Sequence, residues 1–500
     1  MIRHPIRALY DNLPAKRDRP ALFDGDRAIS HGELVAQIEA AAADLIARDV
    51  RPGDRVGLCA ANSADHVVAY LAILRAGAVW TPLNPRNGPS LNSLFQQRAG
   101  LRLTLHDVES AQAMGEAARP LALDDWRPAP VDAATLHPIS DDPERPFALK
   151  FTGGSTGVPK GVLQSVRSGA AALRSLHAFY GFGPDDVNLA VAPLTHGASH
   201  YILPVLAAGG AHVLLDRPER EAILRELKTR ITTVFMPPTL IYLLMEEGRF
   251  GPGDFARLRH LTYSAAPMPP ARIAEAVARF GPVLSTLYGQ TEAPMTIAGL
   301  SPAEMARPEL RTSVGRLFPD TPVALLGADG GVRTGEAEGE ILVRGDLAAT
   351  LYLDDPEQTE AARHEGWLKT GDIGRLDADG HLFLLGRSKE LIISGGYNIY
   401  PGEVEAALNA HPAVREACAF GVADDVWGER LEAVVALDDV AVAALDDPSV
   451  TPEALTAFVR EAVGPVRTPK TLHIVAALPR NPVGKVVRGE VKSLIYPAPQ

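Results

Sequence analysis

At 500 residues the chain is longer than one hydrophobic core organises, since cores stop growing near ~250–300 residues, so at least two domains are expected. Hydrophobic residues at 46% and charged residues at 22% exclude wholesale disorder and a membrane-embedded class. A formal net charge of −12, with no run of Lys or Arg to offset it, argues against a nucleic-acid partner but leaves room for a local basic site that binds a small polyanion.

Arg3 and Arg7 open the chain without the apolar stretch of a signal peptide behind them. The most apolar segment, residues 201–215, is interrupted by Pro204 and Gly209-Gly210 and is shorter than the ~20 residues that cross a bilayer, so a cytoplasmic protein with no integral membrane segment is expected. Residues 31–49 (HGELVAQIEAAAADLIARD) show the period of an amphipathic helix, 54–60 (DRVGLCA) a buried strand, and 64–77 (ADHVVAYLAILRAG) a second helix. Further strands are predicted at 211–216 (AHVLLD) and 232–238 (TTVFMPP). Such alternation predicts an α/β fold with parallel sheets, whose ligands sit where strands end in loops.

From about Thr321 the texture changes to short segments with Gly-Asp turns, 322–331, 339–346 and 374–387, which predicts a small barrel-like β layer. A boundary is placed at 386/387. Residues 1–386 form a large domain of layered α/β subdomains, and 387–500 a small mobile α+β domain with helices at 402–410 and 452–463. Cys59 and Cys418 lie far apart without zinc spacing and are read as free core thiols.

After the apolar run 147–151 (FALKF), the stretch Thr152-Gly153-Gly154-Ser155-Thr156-Gly157-Val158-Pro159-Lys160-Gly161 gathers glycines, hydroxyls and a lysine in one turn. Glycine lets backbone N–H groups approach phosphate oxygens, hydroxyls add donors and lysine adds a charge. A Walker A loop is excluded because Lys160 follows Pro159 and precedes Gly161, and a dinucleotide fingerprint at Gly181 and Gly183 fails at Asp186. Gly153-Gly154-Ser155-Thr156-Gly157 also fits G-x-S-x-G, so an α/β serine hydrolase with Ser155 as nucleophile stays open at this point.

Tyr288-Gly289-Gln290-Thr291-Glu292, Thr370-Gly371-Asp372, Gly386-Arg387-Ser388-Lys389-Glu390 and Asn481-Pro482-Val483-Gly484-Lys485 follow the loop in one order. Together with residues 53–85 they make the chain similar, along nearly its whole length, to the acyl-adenylate-forming superfamily of acyl- and aryl-CoA ligases, luciferases and adenylation domains. The resemblance implies a large ATP- and acid-binding domain and a small domain that rotates between two half-reactions. The first half-reaction makes an acyl-adenylate from a carboxylic acid and ATP, and the second passes the acyl group to coenzyme A. An acyl-AMP ligase that loads a carrier protein is the family alternative. The partners are then the small-molecule acid, ATP and CoA, and association into a homodimer is left open.

By the same resemblance, Thr152, Gly153, Gly154, Ser155, Thr156, Gly157 and Lys160 hold the triphosphate. Ser264, Ala265, Ala266 and Pro267 form the adenine segment, Tyr288 lies against the purine, and Gly289 and Thr291 adjoin the nucleotide. Glu292 holds Mg²⁺ with the ATP phosphates, Asp372 binds the ribose with Arg387 nearby, and Lys389 is the hinge. Ser394, Gly395, Gly396 and Tyr397 line the CoA tunnel, while Lys485, with Glu292 and Thr156, serves the adenylation chemistry. Gly153 replaces a common Ser, and Leu351 replaces the Gly that often precedes Tyr352. Leu351 is the more consequential change, because a non-glycine residue resists positive φ.

His196 and His200 are four apart, but Gly197 stands where a zincin motif has Glu, so His196 is kept as a substrate contact rather than a metal ligand. The resemblance makes Gly289 the open wall and Leu287 the floor of the acyl pocket, which favours a medium-chain, alicyclic or aromatic acid. Met236, Met245 and Met268 read as core, and Trp427-Gly428-Glu429 matches a family segment with no chemical role assigned. Fifteen residues follow Lys485 without a carrier-domain attachment pattern, so a stand-alone enzyme is expected.

Overall fold

The computed structural model describes residues 2–117, 119–131, 136–152, 159–247, 250–264, 266–348, 350–438, 450–481 and 485–497. Among them the strands form three sheets. A seven-stranded sheet runs from the edge strand Thr350–Tyr352 through Lys160–Ser165, Pro146–Thr152, Val79–Pro82, Arg55–Cys59 and Leu103–His106 to Pro120–Ala122. Its strands are parallel except around Lys160–Ser165, which turns back along Pro146–Thr152.

The second sheet has fifteen strands. Six of them, Pro20–Asp24, Ala211–Leu214, Val187–Ala190, Thr233–Met236, His260–Tyr263 and Leu284–Tyr288, lie side by side in parallel. Ala298–Leu300 then pairs antiparallel with Leu284–Tyr288, and Ser313–Leu317 continues to the antiparallel strands of residues 323–387. The β layer expected beyond Thr321 is thus hydrogen-bonded onto the parallel half and continuous with it.

Local chemistry explains the helices between the sheets. Helix His31–Ala47 starts at a capping box, with the Ser30 hydroxyl accepting from Glu33 N–H and the Glu33 carboxylate accepting from Ser30 N–H. Helix Ala64–Arg75 is capped by Ser63 and is buried around almost its whole circumference, which its near-continuous apolar sequence demands. One apolar cluster joins Val56, Leu58 and Leu103 of the first sheet, residues of both helices, and Ala190 and Leu214 of the second. A second cluster, with Leu261, Met236 and Phe280, fills the outer face of the parallel strands.

The third sheet belongs to the C-terminal part and holds Ile392–Ser394, Tyr397–Ile399, Val414–Asp424, Gly428–Leu437 and Thr471–Val475. Helices Pro401–Asn409 and Pro452–Val463 pack on it over Val404, Leu408, Leu455 and Val459. Strand His381–Arg387 of the second sheet, whose last residue is the first of the expected small domain, and Ile392–Ser394 of the third are separated by a 3-10 turn, Ser388–Glu390. Arg488 secures that turn by pairing with Glu390 while donating to Glu405 at 2.6 Å and to the Ala419 carbonyl at 2.7 Å. Across the domains, Arg272 meets Asp438 at 3.2 Å and Tyr400 donates to Glu338 at 3.4 Å. Cys59 and Cys418 are buried and free, and among the described residues no helix is long and apolar enough to cross a membrane.

Leu261 is fully buried in a strand paired on both edges. Leu261→Ala should cost about 2–5 kcal/mol through lost burial and a residual cavity. The measurement is the denaturant midpoint of the large domain, and an unchanged midpoint would contradict this packing.

Candidate active site

Strand Pro146–Thr152 carries the chain to the glycine-rich loop, and the antiparallel strand starting at Lys160 brings it back, with Thr152 opposite Lys160. Gly153, Gly154, Ser155, Thr156 and Gly157 lie outside the described residues, as do Ala265 and residues 482–484. Lys160 Nζ stands 5.4 Å from the centroid of the Tyr352 ring, and the Tyr352 hydroxyl donates to Glu292 Oε1 at 2.9 Å. Burial, with the Glu292 carboxylate beside it, raises the pKa of Tyr352, so this phenol stays a donor. Leu351 sits in an extended edge strand opposite Leu163 with no positive φ, so the departure from glycine strains nothing there.

The parallel strands His260–Tyr263 and Leu284–Tyr288 end side by side. Ser264 Oγ donates to the Leu287 carbonyl at 2.8 Å, Ala266 is half-buried and Pro267 is exposed. The Thr291 carbonyl accepts from Gln164 Nε2 at 2.8 Å and is thereby tied to the strand after the loop.

Asp372 is the focus of this edge. It is 6% exposed, and its Oδ2 accepts from the Tyr288 hydroxyl at 2.7 Å and from Gln290 Nε2 at 2.5 Å. Arg387 Nε lies 3.0 Å from Oδ1. Gln290 also donates to the Thr370 carbonyl at 2.9 Å, which makes it a strut between two elements. Burial and then the negative charge of Asp372 push the Tyr288 phenol far above its ordinary pKa.

Lys485 comes from the small domain, its backbone N–H held by Asn481 Oδ1 at 2.9 Å. Solvent reaches the side chain, yet the protein packed around it lowers its pKa, helped by Arg387 and opposed by Glu390 and Asp372. Its charge thus interacts with those of Arg387 and Asp372. In the Ser394–Tyr397 loop, Gly395, Gly396 and Tyr397 are exposed, Tyr397 at 59%. Lys389 is likewise exposed, in the interdomain turn.

Trp427 and Glu429, to which the sequence assigns no role, shape that loop. Gly395 N–H donates to the Trp427 carbonyl at 2.8 Å, and Ile393 N–H donates to Glu429 Oε2 at 2.9 Å. Gly395 has φ +57, and a Cβ on it would lie 2.8 Å from the indole. Glycine is required there both by the left-handed backbone and by the ring.

His196, the expected substrate contact, is exposed, yet the protein packed around it lowers its pKa to about 4, helped by the charges of Lys150 and Arg86. Its ring is neutral and meets Thr195 Oγ1 at 2.9 Å through Nδ1. His200 is held well below its ordinary value by burial and by Lys150. Among the described residues no group of three His, Cys, Asp or Glu side chains could hold a metal ion. Leu287 is buried with Phe235 and Met295 in one cluster. A Cβ on Gly289 would lie 2.3 Å from the Met295 backbone nitrogen. A bulky residue at 289 must therefore displace the 290–295 segment before it can fill any pocket. Lys150, which sequence reasoning passed over inside an apolar strand, stands beside this region; a lone lysine in FALKF was the available signal.

Two family models cover the chain: AMP-binding enzyme over residues 9–353, and AMP-binding enzyme C-terminal domain over 403–485. The chain belongs to this family, the acyl-adenylate-forming superfamily, and is an enzyme of its AMP-forming ligase class. It is 32% identical to a medium/long-chain fatty acid–CoA ligase of Mycobacterium tuberculosis, over 99% of this chain and 90% of that one. It is also 32% identical to a feruloyl-CoA synthase of an Amycolatopsis species, over 94% and 95%. Among solved structures, ATP-bound MatB from Rhodopseudomonas palustris superposes with a TM-score of 0.86 at 27% identity, covering 99% of both chains.

Gly289→Ala should destabilise the large domain by about 1–3 kcal/mol, as overpacking does, and loosen the Gln290 strut on Asp372. Thermal unfolding measures the first effect and nucleotide titration the second. A variant with wild-type values in both would show that Met295 yields freely.

Proposed function

We propose that the enzyme is an acid–CoA ligase: carboxylate and ATP give acyl-AMP and pyrophosphate, and acyl-AMP and CoA give acyl-CoA and AMP. The observation that carries this reading is the Asp372–Arg387–Tyr288–Gln290 network at the end of the parallel strand Leu284–Tyr288, whose Asp372 and Arg387 charges act on Lys485. Asp372 accepts from the ribose hydroxyls, and the donors behind it keep both oxygens aimed. Ser155, Thr156 and Lys160 hold the phosphates. Glu292 and the phosphate oxygens are the hard oxygen donors that suit Mg²⁺, which would neutralise phosphate charge. Lys485 supplies positive charge where the acid carboxylate attacks the α-phosphate, two anions that otherwise repel. No enzyme nucleophile is needed.

The second step requires a thiol where Lys485 stands. In this reading residues 387–500 rotate about Lys389 and bring the Ser394–Tyr397 loop, with Trp427 behind Gly395, to the face that Lys485 leaves. The acid is medium-chain, alicyclic or aromatic, a range supported by the fatty-acid and feruloyl substrates named for the relatives. CoA is preferred over a carrier protein as acceptor, and the setting is cytoplasmic.

Release of AMP that depends on ATP, CoA and one member of an acid panel tests the overall reaction, and dissection of the two steps tests the roles. Lys485→Ala should lose about 3–4 kcal/mol of transition-state stabilisation in adenylate formation, a few hundredfold in rate, while still converting supplied acyl-AMP to thioester. Because its pKa is lowered, wild-type adenylation should fall on the alkaline side earlier than an ordinary lysine allows, and the variant should lack that limb. Gly395→Leu should do the reverse, releasing pyrophosphate without accumulating acyl-CoA. Equal damage to both steps in each variant would refute the alternating-domain reading.

Ser155→Ala separates the ligase from the hydrolase. As a phosphate ligand, Ser155 contributes hydrogen bonds worth about 1–3 kcal/mol, so the variant should keep measurable ligase activity. Covalent labelling of Ser155 by a fluorophosphonate in the absence of ATP would sink the ligase assignment.

A further inference from the structure

Strand Pro146–Thr152 alternates its side chains between two environments. Leu149 and Phe151 face the cluster of Leu83 and Phe95, where the Phe95 and Phe151 rings stack at 4.4 Å. Ala148 joins the cluster of Trp80, Ala198 and Tyr201, so the intervening Lys150 shares that inner face. Lys150 is 8% exposed, its Nζ 3.4 Å from Ser199 Oγ and 5.2 Å from the centroid of the Trp80 indole. The 3.4 Å contact is long, and Ser199 Oγ already donates to the His196 carbonyl at 2.7 Å. No carboxylate among the described residues pairs with Lys150, and burial alone lowers its pKa to about 7.

His196 and His200 both feel the Lys150 charge and are held neutral, and Arg86, a second cation acting on His196, is exposed and has no ion pair among the described residues. Trp80 Nε1, on the indole beneath Lys150, is buried with no hydrogen-bond partner among the described residues. Lys150 Nζ, with only a long contact to Ser199 Oγ, and the unpartnered Trp80 Nε1 thus stand together on the face of the strand that Ala148 shares. A buried cation without a partner is costly, and a ligand oxyanion would relieve the cost.

We propose that Lys150 is a specificity-determining residue that binds a second oxyanion, such as a distal carboxylate, on the acid that this enzyme activates. The proposal rests on the acid-activating reading and narrows its substrate class: an acid of medium or aromatic size with an anionic group at its far end. Binding such a group raises the Lys150 pKa again, so the preference should be strongest where the lysine is protonated and should weaken as pH rises above neutrality. His196 and His200, both held well below their ordinary values, do not titrate over that interval.

The test compares matched acids, hexanoate against adipate and benzoate against terephthalate, on wild-type enzyme and Lys150→Met. The wild type should favour the dianion, and the dianion-to-monoacid ratio of kcat/KM should fall by about 10–100-fold in the variant, mainly through KM, as expected for the loss of a charge-assisted hydrogen bond. A ratio taken on one enzyme sample cancels any loss of folded protein. If the wild type activates only monoacids, or the variant harms both acids of a pair equally, Lys150 is structural or meets the reacting carboxylate, and the proposal fails. If no acid yields AMP with ATP and CoA, it is the ligase reading that fails. Calorimetric titration of adipate and terephthalate into wild type and Lys150→Met, without ATP, then decides the subsite: tighter binding by the wild type supports it, and equal binding overturns it.

Discussion

Asp372 is a buried carboxylate, and burying an anion is tolerable only when donors replace the water it loses. Three side chains do so here, and they come from two parts of the scaffold. Tyr288 and Gln290 stand at the end of a parallel strand, and Arg387 is the last residue before the turn into the small domain. Asp372 itself lies in the long antiparallel strand Trp367–Leu376. One carboxylate thereby holds the parallel half, the antiparallel half and the domain link in register.

The electrostatics of the site oppose those of the whole molecule. The chain carries a formal −12, yet Arg387 stands on Asp372 and acts with it on Lys485, while Lys160 stands by Tyr352. Local placement overrides net charge because surface charges more than about 10 Å away are largely screened by salt. The protein packed around Lys485 and the Arg387 charge lower its pKa although solvent reaches the side chain. Such a cation interacts strongly with whatever anion enters, and because it is carried by the small domain it is also the charge that a domain rotation would withdraw.

Much of the scaffold was legible in the chain. The helices expected at 31–49 and 64–77 announced themselves by apolar periodicity, and the Gly-Asp turns after Thr321 announced a layer of short strands. The continuity of those strands with the parallel sheet was not legible, because the pairing of Ala298–Leu300 with Leu284–Tyr288 and Ser313–Leu317 is a contact between short segments without strong alternation. Trp427 gave a motif without a role, since its effect on Gly395 depends on a contact across thirty-two residues of chain. Lys150 was hidden for the opposite reason: inside FALKF it looks like a stray charge on a strand edge, and only burial makes it consequential.

The sequence by itself determined the class of chemistry, because catalysis by positioning needs particular residue types, and glycines, hydroxyls, lysines and carboxylates in a set order are visible one residue at a time. It also determined that two domains must exist, since chain length limits what one core can bury. The tertiary structure decided which of those residues act together: that Gln290 braces Asp372, that Lys485 feels the charges of Asp372 and Arg387, and that the Met295 backbone crowds any side chain at Gly289. These facts depend on separations of a few ångströms between segments far apart in the chain, and on burial. Both are set by how the whole molecule packs, and neither leaves a mark in the local order of residues.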